Sequence, residues 1–289
     1  MKHLSLFKTH TFHIHMKNQS DKIYIRPFGD VHRDAHSCDV DRWKWFLKKS
    51  KEDPNAENTY YLGMGDFHDF ASYSEGKKLA AAGLHETTLI NIEEMVQKRN
   101  REFAAEIEHM RGRLIGLIGG NHTWVTDGKS SDEDLAERMG CAYLGWLTLI
   151  KLVIHVRGTV AMNLFIFACH GLGGGRVLGS SVRKVEDLFQ VFPGADIYIM
   201  GHDHQRSAVP QIRLTACNGR NDEWKLKQQR QFYCRSGSFM KSYTHDQGGY
   251  ATGKLMRPSD MGTICGIISA HRQQRDGQDN TILDLEFMV

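Results

Sequence analysis

Five short apolar runs in this chain end alike, in glycine and in side chains that bind metals. IYIRPF leads into GDVH, TYYLGM into GDFHD, RLIGLI into GGNH, NLFIFAC into HG, and DIYIM into GHDH. A short apolar run bounded by turn residues reads as a buried strand, and glycine lets the backbone turn sharply where the strand stops. In layered α/β folds such strand ends gather at one rim, where ligand sites form. The repeated pattern demands a sheet-based fold that draws Asp30, His32, Asp66, His68, Asp69, Asn121, His122, His170, His202 and His204 together from distant parts of the chain.

Strand-length runs alternate with helical ones elsewhere. LTLIKLVIHV, QFYCRS, GTICGIISAH and TILDLEFMV read as further strands. DVDRWKWFLKKS opens on a helix-starting Asp39. TTLINIEEMVQKRNREFAAEIEHM spaces Leu89, Ile92, Val96, Phe103, Ile107 and Met110 for one helix face packed on a sheet. SDEDLAERMG, with a serine start, acidic first turn and glycine end, is a shorter helix, as is SVRKVEDLFQVF. No Ser/Pro linker or repeat divides the 289 residues, so a single domain over 1–289 is expected, loop-rich but strand-containing after about residue 205.

At 40% hydrophobic and 25% charged residues, the chain has the composition of a soluble globular protein with a sizeable core. The net charge of +3 is too mild to mark a nucleic-acid binder, though it leaves room for a local basic groove. No run approaches the ~20 apolar residues of a membrane span, and MKHLSLFKTHTFHIHMK lacks the continuous apolar core of a signal peptide. A cytoplasmic protein without a membrane partner is expected. The 6 cysteines are scattered without a CxxC pair and are expected as free, buried thiols.

The ligand types narrow the chemistry. Carboxylate, imidazole and amide donors without thiolates suit manganese, iron, zinc, cobalt or nickel, and disfavour a structural zinc site or a calcium cage. The donors outnumber what one ion needs, and two ions about 3.5–4 Å apart form the clamp suited to in-line displacement at phosphorus. Asp30-x-His32, Gly65-Asp66, Gly120-Asn121-His122, His170-Gly171 and Gly201-His202-x-His204, in this order and each after a strand, resemble the motif series of the calcineurin-like metallophosphoesterase superfamily. Any one of these motifs occurs freely by chance; the ordered set does not.

The resemblance implies an α/β fold of four layers (αββα), two mixed β-sheets packed face to face as a sandwich flanked by helices. It implies that Asp30, His32 and His204 hold one metal, that Asn121, His170 and His202 hold a second, and that Asp66 bridges them. His122 is implied as general acid or transition-state stabiliser near the leaving group, and Asp69 is a carboxylate expected to orient its imidazole. Thr123 stands where relatives often carry an acidic residue. The expected activity is hydrolysis of phosphate esters by attack of a metal-bridging hydroxide, with two divalent ions, manganese foremost. A phosphodiesterase acting on nucleotides or nucleic acid is expected from the basic residues Arg33, Arg176, Arg183 and Lys184. The alternatives are a phosphomonoesterase and a non-catalytic binding module on the same fold.

Around that set, Arg33 is a candidate phosphate contact through its planar fork, and His68 a candidate substrate contact. His10, His13 and His15 in HTFHIH alternate like the outward side chains of a strand, which accounts for them without a further metal site. GLGGGRVLGSS lacks the GK[ST] ending of a P-loop and reads as a flexible rim. Residues 236–262, rich in Gly, Ser, Lys and Tyr, read as an exposed loop that could carry specificity through Tyr243, Tyr250 or Lys254.

Overall fold

The computed structural model describes residues 7–71, 75, 78–79, 83–126, 128–173, 177–218, 224–243, 257–275 and 278–289. Its strands, numbered in chain order, form two mixed sheets. The first runs β1 (Lys8–Met16), β8 (Leu147–Val156), β9 (Thr159–Cys169), β10 (Ile197–Met200), β12 (Trp224–Ser238) and β11 (Arg206–Asn218), with β13 (Gly262–Thr263) paired to the end of β12. The second runs β15 (Gln278–Met288), β14 (Cys265–Arg275), β2 (Lys22–Phe28), β3 (Thr59–Gly63), β4 (Leu114–Ile118) and β7 (Tyr143–Gly145). A small separate ribbon joins β5 (Val125–Thr126) to β6 (Lys129–Ser130).

Period-two alternation sorts the side chains between layers. Ile150, Leu152 and Ile154 of β8, Ile197 and Ile199 of β10, Ile23 and Ile25 of β2 and Ile268 of β14 share one buried cluster between the sheets. Each such side chain, fully buried, is worth about 1.5–3 kcal/mol relative to exposure. The opposite faces take helices. On the second sheet, Phe28, Tyr61 and Leu117 meet Trp43, Phe46, Phe103 and Leu135 from α1 (Val40–Lys51), α2 (Glu86–Glu106) and α3 (Ser131–Met139). On the first, Phe167, Tyr198 and Tyr233 meet Val185 and Leu188 of α4 (Leu178–Val191). The result is the expected sandwich of two mixed sheets with helices on both outer faces.

Local signals set the helix ends. The Asp39 carboxylate accepts the Arg42 N–H at 3.0 Å and caps α1. Ser130, one residue before the serine expected to start α3, caps it by accepting the Glu133 N–H at 3.2 Å, and Gly140 ends it in the left-handed region at φ 64°. In α2 the apolar stripe is buried at Val96 and Phe103 and continues to Ile107 and Met110, whereas Leu89 is 36% exposed. The spacing defines a face but not how far the sheet beneath it reaches. After residue 205 the described chain is mostly strand, not loop: β11 and β12 extend the first sheet, β14 and β15 the second.

Parallel pairing of β2 with β3, β3 with β4, and β9 with β10 makes these strands finish together, at one edge of each sheet. That shared edge carries the candidate ligands.

Candidate metal centre

The expected ligands leave their strands through an unusual backbone. Asp30 (φ 46°), His32 (φ 45°), Asp66 (φ 49°), His202 (φ 69°) and His204 (φ 58°) all have positive φ, and Arg157 is the one other non-glycine residue to share this among those described. L-residues avoid the left-handed region at a cost of about 1–2 kcal/mol each, and surroundings must hold them there. Here the holding contacts cross between strand ends. The Asp30 N–H donates to the Gly65 carbonyl at 2.9 Å, and the Val31 and His32 N–H groups to the Asp66 carbonyl at 2.9 and 3.0 Å. The His202 N–H donates to Asp30 Oδ2 at 2.9 Å, and the His122 N–H to Asp66 Oδ1 at 2.9 Å. A β-carbon at Gly120 would overlap the Asp66 carboxylate, so only glycine lets the GGNH turn lie against it.

The side chains then converge. His170 Nε2 lies 3.2 Å from Asp66 Oδ2, 2.9 Å from Asn121 Oδ1 and 3.2 Å from His202 Nδ1. On the other flank His32 Nε2 is 3.5 Å from the same Asp66 Oδ2, and His204 Nε2 is 3.6 Å from Asp30 Oδ1. Asp66 thus faces both groups. Three sets of ligand atoms lie within 4.8 Å of one another: Asp30, His32 and His204; Asp66, His170 and His202; His32, Asp69 and His122. In the last, His122 Nδ1 is 2.6 Å from Asp69 Oδ1, which also faces His32 Nδ1 at 3.2 Å.

The donor set fits divalent cations. Asp30 Oδ1 and His32 Nε2 are buried atoms without a hydrogen-bond partner, and leaving such atoms unsatisfied costs about 1–3 kcal/mol each. A cation shared with His204 would satisfy both. His170 Nδ1 sits 2.8 Å from the Met64 carbonyl oxygen, which keeps a proton on Nδ1 and leaves Nε2, facing Asn121, Asp66 and His202, as the atom that could ligate a metal once its own proton is given up.

Electrostatics in the metal-free chain follow from the crowding. Burial pushes the Asp30 carboxyl up to about 6, against the pull of His170. Burial would also raise Asp66, but His170, His32 and His122 together hold its carboxyl well below the usual carboxylate range. Burial opposes charge on His170, yet Asp66 and Asp30 outweigh it and lift the imidazole to about 9. Burial, then the neighbouring His170, lowers His202 to about 4; burial and His32 lower His204 further, to about 3. Hydrogen bonds from His122 and His32 depress Asp69. Burial opposes protonation of His122, but the bond to Asp69 and the charges of Asp66 and Asp69 raise it on balance.

Behind the ligands stand residues that sequence reading did not single out. Asp132, in the first turn of α3 and 2% exposed, accepts the Gly120 N–H at 2.7 Å and so holds the GGNH turn. Arg235, fully buried, donates to the Ser181 carbonyl at 3.0 and 2.9 Å and to the Gly201 carbonyl at 2.7 Å, and pairs with Asp203 at 3.2 Å. It ties α4 to the loop that carries His202 and His204. The signal was a lone charge in the apolar run QFYCRS. Ser238 Oγ donates to the Asp30 carbonyl at 3.0 Å.

Two expected substrate contacts lie elsewhere. His68 is 2% exposed, with Nδ1 2.9 Å from Asp34 and its ring against Phe70 and Phe103, so it faces the core and not a substrate. The Arg33 fork is held by Glu106 at 3.0 and 3.1 Å, the competing ion pair for that side chain. Of the basic loop residues, Lys184 pairs with Asp187 at 3.2 Å within α4. Arg176, Tyr250 and Lys254 lie outside the described residues, and Tyr243 is 46% exposed. The five cysteines whose side chains are described are free. Among the described residues no helix is long and apolar enough to cross a membrane.

No protein-family model matches the chain, and no curated protein does. Among solved structures, that of Chaetomium thermophilum Vps29 aligns over 92% of this chain and 97% of that one, at 10% identity and a TM-score of 0.35. The fold assignment accordingly rests on the sheet order and the contents of the layers.

Proposed function

We propose that the protein is a metal-dependent phosphoesterase of the calcineurin-like kind, holding two divalent ions, manganese foremost. Asp30, His32 and His204 would hold one ion, Asn121, His170 and His202 the other, with Asp66 between them. The observation that carries this reading is the double cluster itself: two N/O ligand sets meeting at one buried carboxylate, with Asp69 and His122 beside them. When bound, the ions supply charge neutralisation at the phosphoryl oxygens and activation of water.

The chain's own groups do the rest. Asp69, bonded to Nδ1 of His122 at 2.6 Å, fixes the ring so that Nε2 carries the proton to be given to the leaving oxygen. That bond and the Asp66 charge favour the imidazolium, the form a general acid needs. His170 is anchored through Nδ1 and presents Nε2. Within this class we favour a cytoplasmic phosphodiesterase acting on nucleotides or nucleic acid. Trp146, 44% exposed and with its ring 5.2 Å from that of His170, offers a face on which a base could stack beside the ligands.

The test is hydrolysis of bis-p-nitrophenyl phosphate and p-nitrophenyl phosphate by purified protein, with chelator and with added manganese. Manganese-dependent turnover that favours the diester is expected. Preference for the monoester would make it a phosphomonoesterase. Turnover of neither, with any metal, would leave a non-catalytic binding module.

A further inference from the structure

The histidines of HTFHIH acquire a partner in space that their spacing does not reveal. β1 pairs parallel with β8, and the register sets His15 beside His155. Alternation turns Ile14 and Met16 inward, both buried, and leaves His13 and His15 exposed on the outer face. The pairing of β8 with β9 slips between Ile154 and His155, an irregularity of the kind that re-aims a side chain. His155 consequently lies between the other two rings: its Nε2 is 2.9 Å from His13 Nδ1, and it stacks on His15 at 4.4 Å between centroids. α4, which packs against Leu147 and Leu149 at the other end of β8, is not part of this cluster.

We propose that His13, His15 and His155 form a binding site for a divalent transition-metal ion of the zinc, nickel or copper class, separate from the centre at the opposite rim. From Leu147, adjoining that centre, to His155 is roughly 26 Å of extended strand, so the two sites share no ligand. Imidazole nitrogen is the donor these ions prefer. Two metal–nitrogen bonds of about 2.1 Å meeting at a tetrahedral angle hold their nitrogens about 3.4 Å apart, a small opening of the 2.9 Å His13–His155 separation. In the metal-free pair one nitrogen carries the shared proton. If that is Nε2 of His155, binding needs only transfer of the proton to its Nδ1, with no net release. His15, an exposed ring, completes the set by a rotamer change. Desolvation and the two neighbouring imidazoles lower the His155 pKa, which keeps its lone pair available at neutral pH.

The experiment is equilibrium dialysis of the full chain against limiting and saturating zinc at pH 7.5, with bound metal counted per chain, on wild type, H155A, H13A and H170A. Wild type is expected to bind one zinc more than H155A or H13A, with unchanged thermal melting of the metal-free proteins and unchanged phosphoesterase turnover. H170A is expected to lose metal at the other rim and keep this site, so failure of the phosphoesterase reading and failure of this one are distinguishable. Equal zinc content in wild type, H155A and H13A would overturn the proposal. So would a loss in H155A accompanied by unfolding while H13A, still folded, keeps the full count.

Discussion

At the scale of single residues, the centre is held by contacts too close to tolerate an extra atom. Gly120 to Ala would drive a methyl group into the Asp66 carboxylate. A loss of about 1–3 kcal/mol in denaturant unfolding is expected, together with weaker metal binding because Asp66 must move; wild-type stability would show that the turn can relax. Asp69 offers a sharper test through pH. Its carboxylate supports the proton on His122, so Asp69→Asn should lower the His122 pKa. If His122 donates the proton to the leaving group, the rate falls as pH rises through that pKa, and the alkaline limb of the profile should move to lower pH. A displacement of one unit is roughly a tenfold loss on that limb, with metal content unchanged. A uniform loss at every pH would remove Asp69 from this role.

At the scale of elements, the strands that end in candidate ligands were legible because an apolar run, a glycine and a polar cluster coincide in a few residues. The remainder was less so. β11 carries Pro210 and mixed polarity, and β1 alternates with histidine and threonine, so neither shows the apolar run by which buried strands announce themselves. His68 sits within the GDFHD motif, yet its side chain points to Phe103; adjacency in sequence says nothing of the face a loop residue takes. Arg235 belongs to the same lesson. A charge inside a buried strand signals a partner, but only the fold brings Asp203, Ser181 and Gly201 to it. Arg235→Met should cost about 3–5 kcal/mol, since it strands the Asp203 carboxylate in the interior, and should loosen the loop of His202 and His204. Arg235→Lys should restore little, because an ammonium cannot make the planar fork. Urea unfolding of both variants decides this; a near-neutral Arg235→Met would mean that water already serves Asp203.

At the scale of the whole molecule, the ionisable groups predict where the metal-free protein is most stable. His109 and His202 titrate at about 4 in the fold and His204 at about 3, all depressed first by burial, against 6.5 unperturbed. Between those values the unfolded chain binds protons the native state refuses, so stability falls as pH drops from 6.5 toward 4. Asp30, raised to about 6 from 3.8, acts in the opposite sense over nearly the same interval, since its ionised form is disfavoured in the fold. Asp132, raised to about 7 by burial, acts as Asp30 does, and three imidazoles against two carboxyls still leave a net decline toward acid. His170, raised to about 9, contributes stability that is complete below 6.5 and is lost between 6.5 and 9. Thermal melts in chelator should therefore peak near pH 6 to 6.5 and fall on both sides. Divalent metal should change the alkaline side most. Binding requires His170 to give up its extra proton, so affinity rises with pH, and an ion that binds only the native state stabilises it by mass action. With saturating manganese the maximum should move above pH 7 and the melting temperature rise there. If manganese leaves the alkaline limb where chelator puts it, the clustered histidines and aspartates are not a metal centre.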